Sequence, residues 1–245
     1  MKNKRIVFIL SSVILVLLVV CSYCIYLNNY RKEQVSLLNE EVELLLDKNM
    51  LNDEYDIELK TSGNYALVEE GIKSYYKELS DNIRVIYSYL NDSKLITILS
   101  ASNINSDGPN FDSSYNILTE TRNNTDIAIK NIIDLCSEEK IKSYVKKKDV
   151  GKYYYDLYLS IMLNEDDLDM LSSTKSEMME LNDNFITFLD KVEAIFNMLK
   201  NNSDYWYIEN NQLYFEKNEL VSEYNNLYND LNNFVKEKFS KYSSN

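Results

Sequence analysis

The feature that most constrains this chain is an apolar run near its N-terminus, Ile6–Leu27, which contains no Asp, Glu, Lys or Arg. A helix rises ~1.5 Å per residue, so this run would form a helix of roughly 33 Å, enough to cross the ~30 Å hydrocarbon core of a bilayer. Cations precede it at Lys2, Lys4 and Arg5, and cations beside a first membrane span stay on the cytoplasmic side. We therefore predict an uncleaved, single-pass anchor with its N-terminus in the cytoplasm.

Two other fates of this segment remain open. Ser22, with Val20 two positions before it, offers a small-residue cleavage site, and cleavage there would release a secreted protein. The stretch Leu18-Val19-Val20-Cys21 resembles a bacterial lipoprotein box, which implies a lipid on Cys21, although Val20 stands where that pattern has Gly, Ala or Ser. The length of the apolar run favours the anchor, because the apolar part of a signal peptide usually has about 7–15 residues.

The composition of the remaining chain predicts an all-α fold. One proline and four glycines in 245 residues leave few helix breakers, and they argue against sandwiches, dinucleotide-binding units and phosphate-binding loops. We predict a cytoplasmic tail at residues 1–5, the transmembrane anchor at 6–27, a juxtamembrane helix at 28–62 and a helical bundle at 63–245. The fold class is then an N-terminal transmembrane helix followed by an antiparallel bundle of long helices, with one small β-hairpin near the C-terminus.

Charge and histidine content exclude several functions. The formal charge of the whole chain is −13, and removing the three N-terminal cations leaves a formal charge near −16 on the rest, which should repel nucleic acid. The absence of histidine removes the usual general base and the commonest zinc ligand. We assign no catalytic residue, cofactor or metal ligand, and we predict that the protein is not an enzyme.

Apolar spacing predicts the helices one by one. The juxtamembrane helix should reach about Lys60, and further helices should cover 65–91, 94–102, 112–136, 137–148, 152–163, 167–199 and 218–240. The strongest pattern starts at Leu171 and alternates spacings of three and four residues. A loop is predicted at 103–110, where Gly108-Pro109 interrupts the helical pattern, with Asp112 or Ser113 capping the next helix.

Residues 204–216 predict a β-hairpin. With Asn210 and Asn211 as the turn residues, Ile208 lies opposite Leu213 and Trp206 lies opposite Phe215. An isolated hairpin is marginally stable in water, so its Trp206 face should pack against the bundle.

Four groups of residues each have a functional and a simpler structural interpretation. Residues 103–108 resemble the start of a calcium loop, but Pro109 and Ser114 stand at two ligand positions, which favours an interhelical loop. The acidic residues 165–167 and Asp169 suit the first turn of a helix, and Cys136 suits a buried apolar position. The numerous tyrosines exceed what one buried stripe can hold, and the exposed ones suit recognition of a protein or polymer.

The order of anchor, helices, the Ser106–Phe111 loop, the long Leu171 helix and the Trp206 hairpin resembles uncharacterised single-pass, extracytoplasmic helical-bundle proteins of low-GC Gram-positive bacteria. This resemblance implies a place in the cell envelope and no particular activity. The expected partners are the membrane, through Ile6–Leu27, and an envelope protein.

The expected function is therefore a non-catalytic, membrane-anchored extracytoplasmic module for protein–protein interaction or scaffolding. The alternative is an extracytoplasmic sensor or ligand-binding bundle with a tyrosine-lined interior, which would act through a partner. The oligomeric state is left open by the sequence.

Overall fold

A computed structural model describes the backbone of residues 2–240 and the side chains of residues 18–164 and 168–240. These residues fold mainly into helices, as predicted. The helices are α1 (Lys2–Leu46), α2 (Asn64–Leu90), α3 (Ser93–Ile96), α4 (Ala101–Asp107), α5 (Asp112–Leu135), α6 (Glu138–Ser143), α7 (Lys147–Val150), α8 (Lys152–Met162), α9 (Glu165–Asn201) and α10 (Asn218–Phe239). A 3₁₀ turn at Ser203–Tyr205 leads into strands β1 (Trp206–Glu209) and β2 (Gln212–Phe215).

The predicted transmembrane anchor is wrong. Within the part of the chain that the structure describes, no helix is long and apolar enough to cross a membrane. Residues 6–17 of the predicted span lie outside the residues with described side chains. After Leu27, α1 continues without a break into the charged residues 31–33. The predicted location, a cell membrane with an extracytoplasmic domain, depended on this span and is overturned with it.

The chain divides into two compact units. The first unit comprises the described residues of Met1–Asn49, Asp53–Lys77 and Lys142–Met162, and the second comprises those of Met50–Asn52, Glu78–Ile141 and Leu163–Asn245. Each unit is described by itself below.

In the first unit, α1 and the first half of α2 run in the same direction. Tyr30 of α1 contacts Tyr65 near the start of α2, and Glu41 of α1 contacts Lys73 further along α2. Two consecutive helices can run parallel only if the chain between them returns along their length. The connecting segment, residues 53–63, does so. The backbone N–H of Lys60 donates to the carboxylate of Glu69 near the start of α2, and the carbonyl of the earlier Glu58 accepts from Lys73 further along α2.

The connection also explains why α1 ends at Leu46, well before the predicted end near Lys60. Asp53 accepts a hydrogen bond from the backbone N–H of Asn49 at 2.8 Å, and the backbone N–H of Asp53 donates to the carbonyl of Asn49 at 2.9 Å. Asn and Asp side chains compete with helical hydrogen bonds in this way, so this polar stretch forms turns instead.

The second unit is an antiparallel packing of α5, α9 and α10. The hydroxyl of Tyr115, near the start of α5, donates to Asn197, near the end of α9. Further along α5, Asp126 accepts from Asn182, which lies before Asn197 in α9, so the two helices run in opposite directions. The apolar stripe predicted on α9 is confirmed, because Phe185, Val192 and Leu199 all lie in the core of this unit. Each helix therefore buries one apolar face, as a bundle requires.

The β-hairpin is confirmed with its predicted register. Trp206 pairs with Phe215 and Ile208 pairs with Leu213, across a turn in which Asn210 and Asn211 have φ values of 50° and 60°. Positive φ at both turn residues is the geometry that asparagine tolerates. The hairpin packs on the bundle through Trp206, whose Nε1 donates to the carbonyl of Leu199 at 2.7 Å.

The loop predicted at 103–110 is wrong over most of its length, because α4 continues to Asp107. The turn begins at Gly108, which lies so close to the hairpin that a Cβ atom would stand 2.7 Å from Cη2 of Trp206. A glycine is needed here for the close approach of the indole ring.

Candidate functional site

The most unusual surface of the described chain is a stretch of α1 that is apolar and exposed. Six large side chains of this stretch are each more than half exposed, namely Leu18, Val19, Val20, Tyr23, Ile25 and Tyr26, while Leu27 at its end is half-buried. We call Leu18–Leu27 the exposed α1 segment. Cys21 and Cys24 within it are exposed free thiols.

The exposed side chains of this segment cover more than one side of the helix. Leu18, Val19 and Val20 are consecutive, and consecutive residues point about 100° apart around a helix axis. A soluble helix normally shows one apolar stripe, and a helix that is apolar on all sides is normally buried. The exposed α1 segment therefore has the surface of a helix that needs a partner.

The C-terminal half of α1 shows the contrast, because it is packed within the first unit. Leu38 is fully buried, and Gln34 accepts hydrogen bonds from the backbone N–H and the hydroxyl of Ser62 at 2.6 and 3.1 Å. Arg31 stacks over the ring of Tyr153 at 5.7 Å. The first unit thus holds one end of α1 in place and leaves the exposed α1 segment uncovered.

Charged side chains are buried at one place in the first unit. The Nζ atom of Lys73 lies 2.7 Å from carboxylate oxygens of both Glu41 and Glu69. Glu69 also accepts hydrogen bonds from the backbone N–H of Lys60 and from the backbone N–H and hydroxyl of Thr61. These contacts join α1, α2 and the connecting segment.

The hydrogen bonds keep both ions charged despite burial. Burial alone would raise the pKa of Glu69, but hydrogen bonds from Lys73 and Thr61 hold it below its ordinary value. Burial alone would lower the pKa of Lys73, but Glu41 and Glu69 raise it above its ordinary value. A lysine that stays protonated and lies between two carboxylates is suited to structural pairing and unsuited to act as a base or nucleophile.

The tyrosines of the first unit form a packed ring cluster. Tyr65 is fully buried and meets the rings of Tyr30, Tyr153 and Tyr154 edge to face, with centroids 4.9–6.5 Å apart. Tyr158 is also fully buried, and its burial raises the pKa of its hydroxyl. Some of the tyrosines that exceed one buried stripe therefore pack as core. Others are exposed as predicted, namely Tyr87, Tyr153, Tyr205 and Tyr207.

A second apolar surface lies on the second unit. Two cavities of about 210 Å³ each share Leu90 and follow α9 over consecutive turns, from Met178 and Leu181 to Phe185 and Phe188. We call this surface the α9 groove. None of the residues lining it carries a charge, and Ile96 at its margin is 68% exposed.

Residues 103–108, which resemble the start of a calcium loop, supply an N-terminal cap for helix α5. The carboxylate of Asp107 accepts hydrogen bonds from the backbone N–H groups of Ser113 and Ser114 at 3.1 and 2.7 Å. Burial would raise the pKa of Asp107, but these hydrogen bonds hold it below its ordinary value. Asp107 caps α5, and not Asp112 or Ser113 as predicted, because the turn brings its carboxylate over the first N–H groups of that helix.

The other candidate residues come together in no common site within the described part of the chain. Glu165, Asp166 and Asp167 open α9 as predicted, although their side chains lie outside the described residues, and Asp169 is exposed. Cys136 is half-buried against Ile129 and Ile132, and burial raises the pKa of its thiol. No group of three potential metal ligands is found among the described residues.

Sequence reasoning missed the α9 groove and the buried ions. Glu69 and Lys73 stand at the helical i, i+4 spacing, which would also fit an exposed pair. The groove involves residues of α2, α3, α9 and α10, which only the fold brings together.

Comparison with known proteins adds no assignment, because no protein-family model, curated protein or solved structure matches this chain.

Proposed function

We propose that this protein is a non-catalytic helical interaction module that binds a protein partner through the exposed α1 segment. The observation that carries this proposal is the exposure of six large apolar side chains along Leu18–Tyr26. Contiguous exposed apolar surface of this kind marks interaction sites in folded proteins.

The size of the surface supports a specific contact. Its six side chains together expose on the order of 700 Å², close to the ~800 Å² that each partner contributes to a standard interface. Two of them are tyrosines, which are among the residues enriched in interfaces. The segment also carries no charge that a partner would have to neutralise.

The proposed lack of catalytic activity is supported by the state of three fully or partly buried ionisable groups. Lys73, Glu69 and Asp107 are each held by several hydrogen bonds, and the pKa of each is shifted toward its charged form. Groups in this state hold the fold together and are poorly suited to accept or release a proton during a reaction.

Site-specific photocrosslinking tests the proposal. A benzophenone side chain in place of Ile25 should crosslink the full chain to protein, whereas the same side chain in place of Ile127 should not. The two isoleucines are matched, since both lie on helices and are 62% and 57% exposed. Equal crosslinking at both positions, or none at Ile25, would contradict the proposal.

Vesicle flotation supplies the complementary result. The full chain should not float with phosphatidylcholine vesicles, because the proposal assigns the exposed α1 segment to a protein contact. Flotation that is abolished by Ile25→Glu and retained by Ile127→Glu would show that lipid covers the segment and would overturn the proposal.

A further inference from the structure

The exposed α1 segment contains a pair of cysteines that the proposed function does not use. Cys21 and Cys24 stand three residues apart, in the pattern Cys-Ser-Tyr-Cys, and both are exposed free thiols on α1. Cysteine is among the residues most often buried in folded proteins, so packing does not account for two exposed cysteines. We propose that the thiolates of Cys21 and Cys24 together bind one Cu(I) ion.

Helical spacing places the two cysteines on the same side of α1. Residues three apart lie about 60° from each other around a helix axis, with their Cβ atoms roughly 5–6 Å apart. Helix α1 runs without a break from Lys2 to Leu46, so its backbone maintains this spacing. A single ion between the two side chains can therefore be bonded by both sulfur atoms.

The same spacing favours a bound metal over a disulfide. A disulfide requires Cβ atoms about 3.5–4.5 Å apart, which is closer than the roughly 5–6 Å of two residues at this spacing in a helix. Forming a disulfide would therefore require the backbone of α1 to distort. A metal ion adds one atom between the two sulfur atoms, so it spans the wider separation without distorting the helix.

The number of available ligands selects the metal. Zinc sites in proteins use three or four protein ligands. No group of three potential ligands is found among the described residues, and residues 1–20 contain no His, Cys, Asp or Glu at all. After Cys24 the next such residue is Glu33, about 14 Å further along the helix. Soft thiolate ligands select Cu(I), and this ion is stable with two sulfur ligands.

Binding at this site exchanges protons for the metal ion and transfers no electron. Each thiol releases its proton to solvent, and each resulting thiolate forms one bond to copper, which stays Cu(I) throughout. The exposure of both thiols gives the ion direct access from solvent. The site needs no partner protein, so its failure would leave the proposed protein contact unaffected.

Competition for Cu(I) in oxygen-free solution, with ascorbate as the reductant, tests the site on the full chain. The wild type should withdraw one Cu(I) per chain from its coloured complex with bicinchoninate. Cys21→Ser and Cys24→Ser should each bind at least about a hundredfold more weakly, because a single thiolate loses the gain from two linked ligands. Both positions are exposed, so serine leaves the fold intact. Cys136→Ser, which removes a half-buried thiol elsewhere, should bind like the wild type.

A double variant tests the spacing while the number of thiols stays the same. Tyr23→Cys combined with Cys24→Ser keeps two thiols at exposed positions but places them about 160° apart around the helix axis. This variant should bind Cu(I) as weakly as the two single serine variants. Equal binding by the wild type and any of these three variants would overturn the proposal. A wild type that withdraws no Cu(I), binds one ion per two chains, or loses it to an equal concentration of Zn²⁺ would overturn it as well.

Discussion

Lys73 shows how one buried residue determines the path of the chain in the first unit. Its ammonium group binds Glu41 from α1, Glu69 from α2 and the carbonyl of Glu58 from the connecting segment. A buried charge is tolerated only when it is paired and hydrogen-bonded, so these three elements must meet at this point. The pairing specifies the parallel arrangement of α1 and α2.

Replacing this lysine should therefore destabilise the protein strongly. Lys73→Met leaves two carboxylates close together without their cation, and we expect a loss of about 3–5 kcal/mol in the free energy of unfolding. The control is Lys130→Met, which breaks an exposed pair with Asp126 and should cost less than about 1 kcal/mol. Urea unfolding of both variants gives the comparison, and equal losses would contradict the role given to Lys73.

Because of Glu69, the free energy of unfolding should depend on pH. Its pKa in the folded protein lies below the ordinary value of 4.5, so the unfolded chain binds a proton more readily than the folded one. The stabilisation is fully present above about pH 4.5 and is lost as the pH falls through the folded pKa. Each unit by which the pKa is lowered corresponds to about 1.4 kcal/mol.

The measurement is the difference in unfolding free energy between the wild type and Glu69→Gln from pH 7 to pH 3. We expect this difference to be largest near pH 7 and to shrink below about pH 4.5. The exposed Glu40, replaced by Gln, should give a small difference at every pH. A difference for Glu69→Gln that grows on acidification would have the wrong sign.

At the scale of elements, local signals were sufficient for five of the ten described helices, the longest ones after α1, and for the hairpin. The spacing of apolar residues predicts α2, α5, α8, α9 and α10 to within a few residues of their ends. The Asn210-Asn211 pair predicts the turn and thereby the register of both strands. These features depend on neighbours close in sequence, which is why the sequence alone reveals them.

The turn of the hairpin offers a direct test of that local signal. Asn211 has a φ of 60°, a conformation that costs a β-branched residue about 1–2 kcal/mol. Asn211→Val should therefore lower the free energy of unfolding by about that amount, while Asn211→Gly should be neutral or stabilising. Urea unfolding measures both.

The control for this prediction is Glu209→Val, which lies two residues away on an exposed strand position. A β-branched side chain suits a strand, so this change should be nearly neutral. Equal destabilisation by Asn211→Val and Glu209→Val would mean that the turn geometry is not what the asparagine supplies.

Features that join distant parts of the chain were not predictable. The parallel course of α1 and α2 depends on the connecting segment and on the buried Lys73, and neither leaves a periodic pattern. The α9 groove likewise depends on which helices meet. Because its residues come from separate helices, apolar spacing along any one of them cannot distinguish a groove wall from ordinary core.

At the scale of the whole molecule, the sequence shows that Ile6–Leu27 is apolar but does not show what covers it. Within the described residues, no helix is long and apolar enough to cross a membrane, and the exposed α1 segment remains an apolar surface. Apolar surface is removed from water with similar benefit by a protein groove or by hydrocarbon. The composition of a segment therefore predicts that its apolar surface is buried against something, but it does not indicate whether that is protein or lipid.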